Sequence, residues 1–375
     1  MSKRIIICCD GTWNKPESET RVWDKKQKIT NVLKTVRAIK PVGSDGKNQI
    51  VYYEKGVGTG GFFDRWIGGF TGKGIDQNIK NAYRFLCNNF VEEDEIFCFG
   101  FSRGAYTVRA LGGLVNLVGI INKLELNHLP IIYKYYRTSP EKRKNHPSHL
   151  IIQQLIKNEK TAKPEIKFMG VWDTVGALGA PTPLLGWITK KLFVGFFNTA
   201  AENIKYAYQA LAIDERRRPF TPSVWTDCSE KTVMQQVWFP GAHSNVGGGY
   251  EEAYLSDLAF LWMVEKAAQL GLTFEDKYLT NHSLIDGRYC GKVIDSLNIL
   301  YRLLFFKRSR RLGQEFKDVT GRKNAVGEMI FEGAVKRFKE NLKTYNLKNL
   351  EYGVKNLEEE KALMNLGECE NLETN

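Results

Sequence analysis

Three residues whose side chains could together perform acyl transfer each follow an apolar run of strand type. They are Ser102, Asp173 and His243. A serine hydroxyl is a poor nucleophile until a base removes its proton, and a histidine oriented by a carboxylate is the usual base. We therefore expect Ser102 to be the nucleophile, His243 the base and later the acid, and Asp173 the group that fixes the histidine tautomer.

Ser102 has the sequence context of a nucleophile elbow. The apolar run Glu95–Phe99 leads into Gly-Phe-Ser-Arg-Gly, and an apolar pattern of helical period begins at Ala105. Gly100 and Gly104 carry no Cβ, so a strand and a helix could pack closely on either side of a strained serine. The sequence predicts a sharp turn that holds the Ser102 hydroxyl above the sheet.

A second aspartate could be the acid, and Asp173 and His243 also have a non-catalytic interpretation. Asp214 follows an apolar segment at about 201–213 that we predict to be a helix, so it is the alternative to Asp173. Taken singly, Asp173 could be a helix cap and His243 a hydrogen-bonded turn residue. The chain order Ser, Asp, His is that of α/β-hydrolases and favours the catalytic interpretation.

An acyl-transfer site also needs backbone N–H groups that stabilise an oxyanion. We predict that Arg103, the residue after the nucleophile, supplies the first. Gly11 and Thr12 follow the first apolar strand of the chain, and we predict that this loop supplies the second.

Other cationic and aromatic residues could contact a substrate. Arg216 and Arg217, with Arg218 beside them, could grip a phosphate head group, or they could form structural ion pairs. Residues 178–197 form an apolar, aromatic insertion that contains Trp187, a further candidate contact. The insertion could be a buried helical hairpin or a lid whose apolar face meets acyl chains or a bilayer surface.

The elements that must position these residues alternate between strands and helices. Ile5–Cys9 is a continuous apolar run typical of a parallel strand that is buried on both faces. Sites in such sheets form at the carboxyl ends of the strands. We predict an α/β-hydrolase-like fold with a doubly wound, mostly parallel sheet and helical insertions.

The length of 375 residues fits one elaborated catalytic domain with an extension. We assign residues 1–275 to an α/β-hydrolase-like catalytic domain with insertions at about 122–164 and 178–200. Residues 276–375 are expected to be a helical C-terminal extension. Its segment Tyr301–Arg311 is cationic and aromatic.

The composition indicates which partners the protein could bind and in which cellular compartment it would be found. The formal net charge of +12 favours anionic partners. Nucleic acid is not expected, because the sequence lacks an interleaved aromatic and basic platform. The seven cysteines lack paired spacing, which indicates reduced thiols. No signal peptide or membrane-spanning run is apparent, so we expect a cytoplasmic protein, with peripheral membrane binding left open.

The motifs predict neither a cofactor nor a metal. Gly56–Gly61 satisfies Gly-x-Gly-x-x-Gly, but no helical pattern begins inside it, as a dinucleotide site requires. Gly69–Gly74 lacks the residues of a phosphate-binding P-loop. The sequence contains no Cys-x-x-Cys pair and no Cys/His zinc pattern.

Six blocks of sequence, in order, resemble the catalytic domain of the type VI secretion phospholipase effectors. They are residues 9–14, 56–59, 100–105, 171–179, 212–220 and 239–250. The resemblance covers about residues 4–270. It implies an α/β-hydrolase fold and phospholipase A-type or related ester hydrolysis by Ser102, Asp173 and His243. It also implies a phospholipid or other acyl ester substrate. It leaves open a membrane surface and an immunity or regulatory protein as partners, and delivery by a specialised secretion system.

The function predicted from the sequence is a serine hydrolase that cleaves carboxylic esters of lipids through an acyl-enzyme. Two alternatives stay open. One is an esterase or thioesterase for a soluble acyl substrate, with the aromatic insertion as the acyl pocket. The other is a non-catalytic basic module that binds membranes, which the net charge permits.

Overall fold

The structure, a computed structural model, describes residues 2–11, 29–56, 72–158, 160–175, 200–217, 220–283, 288–294, 310, 312–313, 316–317, 322–340 and 363–364. The helices are α1 Asn31–Ala38, α2 Gly72–Asn89, α3 Arg103–Val118, α4 Leu129–Tyr136, α5 Pro140–Arg143, α6 His149–Lys157, α7 His243–Gly247, α8 Tyr254–Ala268, α9 Asp276–Ser283 and α10 Glu332–Glu340. Within this part of the chain, none of the helices has both the length and the apolar character needed to cross a membrane.

The strands form one large sheet and two small ones. They are β1 Arg4–Cys9, β2 Gln49–Glu54, β3 Glu95–Phe101, β4 Ile120–Ile121, β5 Thr161–Ala162, β6 Ile166–Trp172, β7 Ile204–Ala212, β8 Val233–Phe239, β9 Phe316–Lys317, β10 Arg322–Lys323, β11 Glu328–Phe331 and β12 Leu363–Met364. The large sheet has eight parallel strands in the order β12-β11-β8-β7-β6-β3-β1-β2. The predicted α/β class with a parallel sheet is confirmed.

Helices cover both faces of the sheet, and β1 shows how the sequence divides the core between them. Ile5 and Ile7 pack with α2 and α3 on one face, whereas Ile6 and Cys8 pack with α1 and α8 on the other. Successive side chains of a strand point to opposite faces, so an unbroken apolar run is buried on both. β1 is fully buried, as its composition predicts.

β7 corrects the prediction of a helix at about 201–213. Ile204–Ala212 is a strand that pairs in parallel with β6 and β8. Its alanines favour a helix in isolation. In the fold, Ala207 and Ala210 are buried on opposite faces of the sheet, where small side chains let the covering helices approach. Pairing with two neighbours therefore overrides the local helical propensity.

The C-terminal region is not helical throughout, because it also supplies the strands β11 and β12 to the sheet. β11 pairs with β8, and Phe331 at its end stacks on Phe239 with ring centroids 4.7 Å apart. Leu312 and Val335 belong to a buried cluster that includes Trp238 of β8. These contacts attach the C-terminal region to the sheet edge beside the strand that precedes His243.

Candidate active site

Ser102 joins β3 to α3 in a strained backbone conformation. Its φ of 57° and ψ of −119° lie in a region that residues with a Cβ rarely adopt. The flanking glycines leave the space that this turn needs. A Cβ on Gly100 would lie 2.6 Å from the Cα of Ala105, and a Cβ on Gly104 would overlap the carbonyl oxygen of Cys9. Ser102 therefore stands on a tight strand-to-helix turn.

Two hydrogen bonds join Ser102, His243 and Asp173. The Nε2 atom of His243 lies 2.9 Å from the Oγ of Ser102, and its Nδ1 lies 2.5 Å from the Oδ2 of Asp173. The three residues meet because parallel strands end at one edge: Phe101 pairs with Trp172, so Ser102 and Asp173 leave β3 and β6 side by side. All three side chains are buried. We call this arrangement the Ser-His-Asp chain.

The charges around the Ser-His-Asp chain favour an ionised carboxylate beside a neutral imidazole. Burial alone would raise the pKa of Asp173, but the guanidinium of Arg310 and the hydrogen bond from His243 hold that pKa well below its usual range. Burial lowers the pKa of His243, and the nearby Asp173 carboxylate offsets this only in part. A neutral histidine whose Nδ1–H is donated to a carboxylate leaves Nε2 free to accept the serine proton.

The imidazole of His243 is held between two aromatic rings. Its centroid lies 4.6 Å from that of Phe101 and 5.0 Å from that of Phe220, the latter in an edge-on arrangement. Gly247 makes room for Phe101, since a Cβ there would overlap the phenyl ring. The two rings thus fix the plane of the imidazole independently of its hydrogen bonds.

Asp214, the alternative acid, does not contact the imidazole in this arrangement. Its Oδ2 accepts the backbone N–H of Gly241 at 2.7 Å, in the loop that precedes His243. Asp173 occupies the position beside Nδ1. The geometry therefore favours Asp173 over Asp214 as the partner of the histidine.

The arginines predicted to grip a head group differ in their surroundings. Arg217 binds both carboxylate oxygens of Glu215 at 2.9 and 2.8 Å, and its guanidinium lies 3.5 Å from the ring centroid of Phe220. Glu215 in turn accepts the backbone N–H of His243 at 3.3 Å. Arg217 is therefore part of the wall around the histidine. Arg216 is half-buried next to it.

Several predicted site residues lie outside the described part of the chain. They are Thr12, Trp187, Arg218 and the insertion at 178–197. Most of the glycine-rich motif that begins at Gly56, which is not predicted to be a cofactor site, also lies outside the described residues.

Two of the predicted oxyanion donors, Arg103 and Gly11, lie within the described part of the chain. Arg103 is the first residue of α3, so its N–H has no partner within the helix. Cys9 pairs with Gly100, and a Cβ on Gly104 would lie 2.6 Å from the carbonyl oxygen of Asp10, so the Asp10–Gly11 peptide bond lies beside the first turn of α3. However, the N–H of Gly11 donates to the Asp10 carboxylate at 2.6 Å. An oxyanion would have to replace that carboxylate to use the Gly11 donor.

Arg310 is the residue of this site that the sequence did not reveal. It donates to both carboxylate oxygens of Asp173 at 2.5 and 2.9 Å. The sequence signal of this segment is the cationic and aromatic character of residues 301–311. Five of those residues are arginine or lysine, so nothing in the sequence singles out Arg310.

The described part of the chain contains no group of three or more His, Cys, Asp or Glu side chains arranged to hold a metal ion.

The chain matches a known protein family over most of its length. The family model for the T6SS phospholipase effector Tle1-like catalytic domain matches residues 3–266. The chain belongs to this family. The resemblance expected from the six sequence blocks is confirmed, and Ser102, Asp173 and His243 all lie inside the matched Tle1-like domain. Arg310, β11 and α10 lie beyond its end.

The relatives of the chain are distant and longer. Uncharacterized protein YEL023C of Saccharomyces cerevisiae is 26% identical over 244 residues, which cover 60% of this chain and 33% of the yeast protein. The chain thus spans about a third of the length of that relative.

Two solved structures are also similar. An uncharacterized protein from Pseudomonas aeruginosa has 15% identity and a TM-score of 0.41, over 74% of this chain and 47% of that one. The Tle1 effector bound to the VgrG spike from the type 6 secretion system has 20% identity and a TM-score of 0.33, over 66% of this chain and 51% of that one.

Proposed function

We propose that the chain is a serine hydrolase that cleaves carboxylic ester bonds of lipids, with phospholipids as its substrate class. The observation that carries the proposal is the Ser-His-Asp chain on the strained turn at Ser102, with His243 within 2.9 Å of the serine oxygen and 2.5 Å of Asp173. That combination is what a nucleophile elbow and its catalytic base require.

The proposed reaction passes through an acyl-enzyme. The Oγ of Ser102 attacks the ester carbonyl carbon while Nε2 of His243 takes its proton, and Asp173 stabilises the imidazolium. The N–H of Arg103 and the positive end of α3 stabilise the oxyanion. His243 then protonates the leaving alcohol as the carbon–oxygen bond breaks. A water molecule, deprotonated by His243, releases the fatty acid and restores the serine.

Two observations support a phospholipid substrate of the phospholipase A type. The chain belongs to a family described by its phospholipase effectors. Its formal net charge of +12 would favour the anionic surface on which phospholipids are presented. On the same grounds we propose residues 1–275 as the catalytic domain and 276–375 as an extension. Delivery by a secretion system and control by an immunity protein are proposals from the family alone.

The test combines covalent labelling with lipid hydrolysis. A fluorophosphonate should label the purified full-length chain at Ser102, and the chain should release fatty acid from phosphatidylglycerol liposomes. Ser102→Ala should abolish labelling and reduce turnover by about 10⁶-fold. The matched control is Ser44→Ala, because Ser44 is an exposed serine and its replacement should leave both signals unchanged.

Three other outcomes would contradict parts of this proposal. Fatty acid release that survives in Ser102→Ala would refute the assignment of the nucleophile. Hydrolysis of a soluble acyl ester or thioester, without release from liposomes, would move the substrate class away from lipids. Liposome binding without labelling or hydrolysis would indicate the non-catalytic membrane-binding module.

A further inference from the structure

We infer that Arg310 is a positioning residue for catalysis, supplied to the Tle1-like domain by the chain segment beyond its end. This inference rests on the proposed function, because it assigns Arg310 a role in orienting and charging the acid of the Ser-His-Asp chain. The family match ends at residue 266. The guanidinium that pairs with Asp173 therefore comes from outside the region that defines the family.

The contacts of Arg310 form a clamp rather than a single ion pair. One terminal nitrogen donates to Asp173 Oδ1 and to the carbonyl of Ala212, at 2.5 and 2.8 Å. The other donates to Asp173 Oδ2 and to the carbonyl of Phe220, at 2.9 and 2.7 Å. Such a two-nitrogen fork fixes the plane of a carboxylate as well as its position.

Asp173 needs such a partner because its surroundings are unfavourable for a lone charge. The residue is fully buried and has a φ of 40°, so its backbone is strained. Its Oδ1 also accepts the N–H of Ala212 at 3.0 Å, while Oδ2 faces His243. With Arg310 in place, both oxygens have two partners and the carboxylate has one orientation. A buried carboxylate without its cation would carry an uncompensated charge.

Arg310 is held in place by packing and hydrogen bonds around its own segment. Leu312, two residues on, is fully buried with Ile330. The N–H of Gly313 donates to Glu328 at 2.9 Å, and the same carboxylate oxygen accepts from the indole of Trp238 at 2.6 Å. The C-terminal segment is therefore fastened to β8 and β11, and through Arg310 to the acid of the site.

The pairing also affects how strongly Asp173 holds a proton on His243. A carboxylate that shares its charge with a guanidinium stabilises an imidazolium less than an unpaired carboxylate does. Arg310 thus keeps His243 available as a neutral base. Loss of Arg310 should both misorient the acid and raise the pKa of the histidine.

The experiment measures the second-order rate constant of Ser102 labelling by a fluorophosphonate across pH, in the full-length chain. The variants are Arg310→Gln, Arg310→Lys and Arg310→Gly. The matched control is Arg337→Gln. Arg337 lies in the same C-terminal region, and one of its nitrogens donates to the carbonyls of Tyr289 and Gly291 at 2.6 and 2.7 Å. It makes no contact with the Ser-His-Asp chain.

The expected result is a loss of at least about 100-fold in the labelling rate of Arg310→Gln at neutral pH, because the base and acid no longer act as a unit. The midpoint of its acidic limb should move to higher pH. Arg310→Lys, which keeps the charge without the fork, should show a smaller shift. Millimolar guanidinium chloride should partly restore Arg310→Gly, and sodium chloride at equal ionic strength should not.

Two results would overturn the inference. One is Arg310→Gln labelled at the wild-type rate with the wild-type midpoint. The other is a rate that falls, in Arg310→Lys and Arg337→Gln alike, only in proportion to the folded fraction measured by thermal denaturation, with the midpoint unchanged. If Arg310→Gln and Arg310→Gly do not fold, the labelling rate and pH midpoint of Arg310→Lys provide the test. Absence of labelling in the wild type would instead refute the proposed function, and the role of Arg310 would fall with it.

Discussion

The first turn of α3 lies against the end of β1 so closely that a Cβ on Gly104 would overlap the carbonyl oxygen of Cys9. This contact sets the distance between the turn at Ser102 and the neighbouring strand. A Cβ on Gly104 would also lie 2.6 Å from the carbonyl oxygen of Asp10. The position of the serine therefore depends on a residue without a side chain.

Gly104→Ala should reduce both stability and the rate of Ser102 labelling. The added methyl would have to push α3 away from β1, and overpacking of this kind costs about 1–3 kcal/mol. The control on the same helix is Gly112→Ala, whose Cβ would lie 3.0 Å from the flexible end of Met169. Gly112→Ala should be milder by denaturation and by labelling rate. Equal losses in the two variants would contradict this account.

Asp173→Asn should be far more damaging than Asp214→Asn. An asparagine beside Nδ1 can donate rather than accept, which favours the wrong histidine tautomer and typically costs about 10⁴-fold in turnover. Asp214 instead accepts the N–H of Gly241. The turnover of Asp214→Asn should therefore fall less than about tenfold, as expected for a group outside the Ser-His-Asp chain. Rates of ester hydrolysis for the two folded variants provide the test. A reversed order would make Asp214 the acid.

Much of this site was predictable because its members follow local rules. An unbroken apolar run indicates a buried parallel strand, as in β1 and β3, and a polar residue just after such a run lies at the sheet edge. Gly-x-Ser-x-Gly between a strand and a helix predicts a sharp turn at the serine. The sequence therefore predicts Ser102, Asp173 and His243 as site residues. In the structure their side chains lie within hydrogen-bonding distance of one another along the Ser-His-Asp chain.

The parts that escaped prediction depend on contacts between distant segments. β7 has alanines and a helix-like composition, and only its pairing with β6 and β8 makes it a strand. Arg310 meets Asp173 across 137 positions of the chain, and the neighbouring Arg308 and Arg311 look the same in the sequence. A side chain chosen by tertiary packing leaves no local pattern.

Glu215 should make the fold sensitive to acid. Burial raises the pKa of its carboxyl, but the ion pair with Arg217 outweighs this and lowers the pKa to about 2. A carboxyl with a depressed folded-state pKa contributes stability above its unfolded value of about 4.3, and that contribution is lost as pH falls towards the folded value. The loss should therefore lie between about pH 5 and pH 2.

Glu215→Gln cannot titrate, so its stability should vary less over that range. Between pH 7 and pH 3 the wild type should lose about 2 kcal/mol more than the variant, from the linkage of a single carboxyl. Urea denaturation of both proteins at the two pH values gives the comparison. Parallel losses would mean that Glu215 titrates with an ordinary pKa in the folded protein.

The labelling rate of Ser102 should rise with pH along a limb whose midpoint lies below 6.5, the ordinary value for histidine. Burial disfavours the imidazolium, and neutral His243 is the form that accepts the serine proton. A lowered pKa keeps the base neutral to lower pH, so the plateau should be reached on the acid side of neutrality. Arg217 adds to this lowering. Arg217→Gln should therefore move the midpoint to higher pH, whereas Lys205→Gln, at the opposite end of β7 from the site, should not. A wild-type midpoint at or above that ordinary value would show that Asp173, rather than burial, dominates the basicity of His243.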